Sequence, residues 1–204
     1  MIEETLRTEF EALKNDFEII RQQIESDVVR TELYKGEFYE LTPYSYQRHG
    51  FRQGKPVKRP DTVKNTKNLC IYGFNNQNQI VEVKVGCSIE YQLYQTFLYY
   101  TDNLVKSILY DNGKHLMNVC HNFFEGGKLK RLQLCGSHGS REENYIYKEN
   151  ALTHNEIKQY DIDGKSGSDL VHIFQYQDDG TLETITKSFP NGYSEIIYKT
   201  KRSC

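Results

Sequence analysis

The sequence predicts a mainly β chain of the α+β kind. A long N-terminal helix packs on a curled antiparallel β-meander of about ten strands, itself made of hairpin repeats. Three observations carry this reading. Apolar residues in the first thirty positions recur at helical spacing. From residue 69 onward an aromatic–turn–aliphatic unit recurs every 23–29 residues. Tyrosine is abundant, at 16 of 204 residues, and proline scarce, at 4. That balance suits sheets, because flat rings pack across strands while the hydroxyl reaches water.

The helix is expected over residues 2–30, within an N-terminal unit of residues 1–33. Ile2, Leu6, Phe10, Leu13, Phe17, Ile20, Ile24 and Val28 follow one another at steps of three or four, which places them on one stripe. Glu3 and Glu4 near the start and Arg30 at the end suit the helix dipole. The stripe of Leu6, Phe10, Leu13, Phe17 and Ile20 has two readings. It is the core face of a helix lying across a sheet, or it is a seam for a second helix, which keeps a homo-oligomer open.

Residues 34–68 form an aromatic, then basic, connecting segment. Tyr34, Phe38, Tyr39, Tyr44 and Tyr46 come first. Arg48, Arg52, Lys55, Lys58, Arg59, Lys64 and Lys67 follow, against the single acid Asp61. A short strand or two and then an exposed loop are expected here. Tyr44, Tyr46, Arg48, Arg52, Lys55, Lys58 and Arg59 are the candidate partner-contact residues. The loop is solvated, or it grips an acidic protein surface. Nucleic acid is the weaker reading, because the formal net charge of −2 gives no general attraction for a polyanion.

Residues 69–204 carry the repeat. Its clearest copy is Phe174-Gln175-Tyr176-Gln177-Asp178-Asp179-Gly180-Thr181-Leu182-Glu183-Thr184-Ile185. Two alternating aromatics end a strand, the glycine turn reverses the chain, and two aliphatics begin the return. The leading positions are 72, 98, 122, 145 and 174, of which Leu98 and Asn122 are not aromatic. In the fourth copy the second aliphatic is displaced to Ile157. A second set of turns falls between the first: Asp111-Asn112-Gly113, Cys135 to Gly139, Asp161 to Gly167, and Pro190-Asn191-Gly192. Two turns per period imply two strands per period, and a sheet that wide is expected to curl. The N-terminal helix is the expected filler or cap of its apolar face, and the three segments are expected to make one compact unit.

The run Phe174-x-Tyr176-x-x-x-Gly180-x-Leu182 resembles the YD repeat of the RHS family, with Gln177 where the family has Asp and Thr181 where it has Arg. Tyr72 to Ile80 keeps the spacing but has Asn78 for the glycine. The large members of that family form shells around toxin domains, and this chain is too short to enclose one. The resemblance implies a small accessory protein of a bacterial toxin system, of the immunity type.

Little in the sequence points to catalysis. There is no Gly-x-Ser-x-Gly elbow and no phosphate-binding glycine loop ending in Lys-Ser or Lys-Thr. Cys70, Cys87, Cys120, Cys135 and the six histidines lack the spacing of a nucleophile set. Cys120-His121 sit side by side on a presumed strand, so their side chains leave on opposite faces and cannot share a zinc ion with Cys135 and His138. The acidic turns at Asp161–Asp163 and Asp178–Asp179 supply too few oxygens for calcium. No metal and no cofactor is expected.

The first residues lack a secretory apolar core and no apolar run spans a bilayer, so no membrane association and a cytoplasmic location are expected. The leading functional expectation is a non-catalytic protein-binding module, an immunity-type inhibitor that occludes a toxin. The alternatives are a scaffold that oligomerises through its helix, and a hydrolase or nucleic-acid-binding protein.

Overall fold

The computed structural model describes residues 4–59, 65–87, 89, 92–167 and 169–200. Ile2 and Glu3 at the head of the expected helix, and Asp61 and Lys64 in the basic run, lie outside the described residues.

Among the described residues thirteen strands form one antiparallel sheet that does not close. β1 is Arg30–Lys35 and β2 is Lys55–Pro56. Eleven strands follow residue 68, against the expected ten: β3 (Leu69–Phe74), β4 (Ile80–Gly86), β5 (Leu93–Tyr100), β6 (Leu104–Tyr110), β7 (Leu116–Glu125), β8 (Lys128–Gly136), β9 (Gly139–Lys148), β10 (Ala151–Tyr160), β11 (Leu170–Tyr176), β12 (Leu182–Ser188) and β13 (Ser194–Lys199). β3 to β13 run as an unbroken meander, β1 lies beside β3, and β2 lies outside β1. Both sets of expected turns join consecutive strands.

Three copies of the repeat owe their aliphatic spacing to β-bulges. In β4, β8 and β12 the register slips by one residue just after the turn, at Val81, Lys130 and Glu183. An extra residue turns a step of three into a same-face step. Ile80 and Val83, Leu129 and Leu132, and Leu182 and Ile185 therefore face the same way as the paired aromatics that precede them. β10 has the same slip at Thr153, which puts Asn155, not an aliphatic, in the second slot.

The single helix expected over 2–30 is two. α1 spans Glu4–Ala12, a 3-10 turn follows at Leu13–Asn15, and α2 spans Phe17–Asp27. Asn15 and Asp16 explain the break, since their short polar side chains compete with the helical backbone. The Tyr110 hydroxyl donates to the Leu13 carbonyl, 2.7 Å away, and so adds a second bond to an oxygen that the break leaves with only the Asp16 N–H, at 3.2 Å. Val28 is already extended, and Arg30 opens β1 instead of closing a helix.

The helical stripe is core. Leu6, Phe10, Phe17 and Ile20 are buried, with Ile24, against Val81, Phe97, Ile108, Tyr110, Val119 and Cys135, and Leu13 packs beside them. The seam reading is thereby corrected: the sheet already occupies that face.

The opposite face of the sheet is covered by something the sequence assigned to a connector. Nineteen residues between β1 and β2 leave the sheet edge and cross this face as a strap. Tyr39 packs on Tyr72 and Phe74 of β3, and Tyr44 on Phe174 and Tyr176 of β11. β3 and β11 are eight strand steps apart, roughly 38 Å along a flat sheet. Five residues of chain reach at most about 18 Å. Side chains bridge part of the difference, and the sheet curves toward the strap: residues 45–49 pack on β13 while Ser45 and His49 share a pocket with Tyr72 of β3 and Val83 of β4. The strap side is therefore concave and the helical side convex, so the helix caps the sheet from outside while the strap fills it.

Candidate functional site

The site is built from the strap inward. Its two ends meet where Gly36 and Gly54 touch. Gly36 has a φ of +85°, and a Cβ at Gly54 would strike the Gly36 carbonyl oxygen. The Gly54 N–H donates to the Glu37 carbonyl and the Val57 N–H to the Leu33 carbonyl, which closes the neck. Beyond it, the Phe38 ring stacks on Tyr34 at 4.2 Å, and the Phe38 N–H donates to the Tyr72 hydroxyl. Tyr39 and Tyr34 both donate to Glu32 Oε2. Tyr44 then takes a φ of +56°, which is costly for a bulky residue. That turn starts the short helix α3 (Ser45–His49) and directs Arg48 into the concave face.

Arg48 is the anchor. Its side chain is 1% exposed and that of Glu143, on β9, is 4% exposed. Arg48 Nη2 donates to Glu143 Oε2 at 2.8 Å, Nη1 to the Tyr145 hydroxyl at 3.3 Å, and Nε to His172 Nδ1 at 3.2 Å. Tyr145 and Asn155 also donate to Glu143 Oε2, and Arg141 pairs with Oε1. Burial would raise the Glu143 pKa, but Arg48 and Arg141 outweigh it and hold the carboxyl at about 2. Burial, then the Arg48 charge, lowers His172 to about 3. Its imidazole is neutral, as an acceptor at Nδ1 must be. Burial also works against the Arg48 guanidinium, yet Glu143 and Tyr145 prevail and its pKa rises.

These groups are poised to hold, not to transfer protons. Both Glu143 oxygens are engaged and ionised, and His172 has no basicity near neutral pH. Two buried thiols are equally quiet: burial pushes Cys70 up to about 11 and Cys120 up to about 12, far from the thiolate range a nucleophile needs. Cys120 faces the concave side. Its neighbour His121 is on the convex side, with Nε2 2.7 Å from Glu9 Oε2. No group of three or more His, Cys, Asp or Glu gathers in metal-binding geometry among the described residues.

The candidate contact residues divide into two sets. Arg48 and Tyr46 are buried and Tyr44 is half-buried. They belong to the interior and are not a docking surface. A guanidinium whose donors are taken up by Glu143, Tyr145 and His172 has no place in solvent. Arg52, Lys55, Lys58 and Arg59 are exposed. They follow, in the chain, Phe51, 61% exposed, whose ring stacks on His49 at 6.1 Å. Sequence reasoning missed Glu143, Asn155 and His172. One signal was present: Asn155 stands in the slot that Val83, Leu132 and Ile185 fill in other copies.

A cavity of about 640 Å³ lies between strap residues Tyr39 to Thr42 and the concave face of β3 to β8.

No family model, no curated protein and no solved structure matches this chain. No helix among the described residues is long and apolar enough to cross a membrane.

Proposed function

We propose that this chain is a non-catalytic binding protein that occludes an acidic protein surface, in the manner of an immunity-type inhibitor of a bacterial toxin. One observation carries the reading. A strap locked by a buried guanidinium ends in an exposed aromatic, Phe51, followed in the chain by exposed cations at Arg52, Lys55, Lys58 and Arg59. A contact segment already fixed in the free protein loses little conformational entropy on association. Exposed aromatics with nearby Arg are the usual anchors of such interfaces. Cations around the anchor favour an acidic partner and speed its encounter. The YD-like hairpin spacing supports the toxin-system context, by architecture alone. The scaffold alternative loses its seam, since the helical stripe is used within the chain.

The test is capture of the tagged protein with its partner in the host, followed by growth assays. The expected partner is stoichiometric, acidic at its contact surface and toxic when expressed alone. Co-expression of this chain restores growth, and Phe51→Ala with Lys58→Glu abolishes the rescue while the protein stays folded. Recovery of the chain alone, as a discrete homo-oligomer, overturns the reading.

A further inference from the structure

We propose that the concave face carries a binding site for a neutral, largely apolar small molecule, seated between the strap and β3 to β8. The inference stands apart from the protein-binding reading and needs no part of it.

The first argument is the repeat itself. Each copy should present two rings to the concave face, as Tyr72 and Phe74, Tyr145 and Tyr147, and Phe174 and Tyr176 do. In the second and third copies the leading ring is replaced, by Leu98 and Asn122, and only Tyr100 and Phe124 remain. Leu98 and Asn122 both line the cavity. The space lies where two of the five leading rings are missing. Its volume of about 640 Å³ is of the size that holds a drug-sized ligand, whereas a well-packed core leaves few voids larger than a water.

The second argument is the chemistry of the floor. Leu98, Val105 and Leu132 give it an apolar surface. Pairing across the sheet sets Ser107 beside both Leu98 and Cys120, and Asn122 beside Val105 and Leu132. The polar groups set into that surface, Thr96, Ser107, Asn118 and Asn122, are all neutral. Asn122, 7% exposed, gives one amide N–H to the Val105 carbonyl and accepts the Cys120 thiol. Charge appears only toward the rim. Arg30 lies 3.9 Å over the Phe74 ring and is paired with Glu32 and Asn78. Glu40 accepts from the Tyr46 N–H. An ionised ligand group on this floor would lose its hydration with no counter-charge to replace it. A neutral molecule with one or two hydroxyl or amide groups fits. Leu41 and Thr42 of the strap would lie over it.

The experiment titrates the protein with two fluorescent probes that share one ring system, neutral N-phenylnaphthylamine and anionic anilinonaphthalene sulfonate. The wild-type protein should bind about one equivalent of the neutral probe saturably, and the sulfonate at least ~tenfold more weakly. Leu98→Phe combined with Asn122→Tyr restores the missing rings. It should keep the far-UV spectrum and urea midpoint and lose ~tenfold or more in affinity for the neutral probe. Ser107→Leu, which intrudes on the same floor from β6 with a smaller change, should give the same loss if the double variant does not fold. No saturable binding of the neutral probe, undiminished binding in the folded filled variants, or a sulfonate bound as tightly as the neutral probe would each overturn the proposal.

Discussion

The two faces of the sheet are covered by opposite means. On the convex face five helical side chains, Leu6, Phe10, Phe17, Ile20 and Ile24, are buried in one continuous apolar contact. The ion pairs there sit at the rim and are partly solvated: Glu9 with Lys106 and His121, Glu25 with Lys84, Glu18 with Lys114. On the concave face the strap has rings at its flanks, and between them one buried guanidinium and the groups that receive it. A cover spread over many apolar contacts weakens in proportion as each is lost. A cover fixed through one buried ion pair fails at that point, because the surviving carboxylate keeps only the partly solvated Arg141 as a counter-charge.

The sharpest way to break the contrast is Arg48→Ala. It removes the fully buried partner of the Glu143 carboxylate, leaving only the partly solvated Arg141, and should cost about 3–5 kcal/mol in urea unfolding. It should also raise amide exchange across residues 37–53 well above that of α1 and α2. A loss below about 1 kcal/mol with strap protection unchanged would show that the pair is not the anchor.

The comparable deletion on the convex face, Leu6→Ala, should cost about 2–5 kcal/mol. Here protection should fall across the whole fold, with no separate opening of the helix.

Acid separates the faces next. The folded Glu143 value of about 2 lies below its ordinary 4.5, so its contribution is complete above that ordinary value and is lost as pH falls toward 2. His172, held at about 3 against an ordinary 6.5, acts with the same sign between those two values, since the unfolded chain takes up the proton first. The urea midpoint should therefore drop between pH 7 and pH 4. His172→Gln keeps an acceptor for Arg48 without the titration, and should flatten the upper part of that drop. An unchanged slope in this variant would remove His172 from the account.

The smallest effect is expected at the convex rim. Glu9→Gln leaves two partly solvated partners and should cost no more than about 1 kcal/mol, with less still at high salt.

The same contrast decides what the sequence could reveal. Periodicity states which side of an element is apolar, so the helical stripe and the hairpin turns were legible from local spacing. It does not state what lies against that side. The sequence places the helix on the sheet as filler or cap, and it is the cap; what no spacing reveals is that the strap is the filler. Arg48 looked like a surface cation because charged side chains seldom sit in cores. Its partner is 95 positions away, and no local pattern links the two. The helix break at Asn15-Asp16 was masked by a stripe that continues through it. What remained readable was departure from the repeat. Asn155 in an aliphatic slot marks the buried charge network, and Leu98 and Asn122 in ring slots mark the cavity.

The strap also works as the string of a bow. Tyr39 and Tyr44 fix a chord of at most about 18 Å across an arc of eight strand steps. A duplicated hairpin between β3 and β11 would lengthen the arc by about 10 Å and leave the string unchanged. The sheet would have to bend more tightly, or the string would need about three more residues. Repeat number and loop length are thus one variable here: an inserted hairpin in this stretch calls for a compensating insertion between residues 39 and 44, which are about 30 to 130 positions away in the chain.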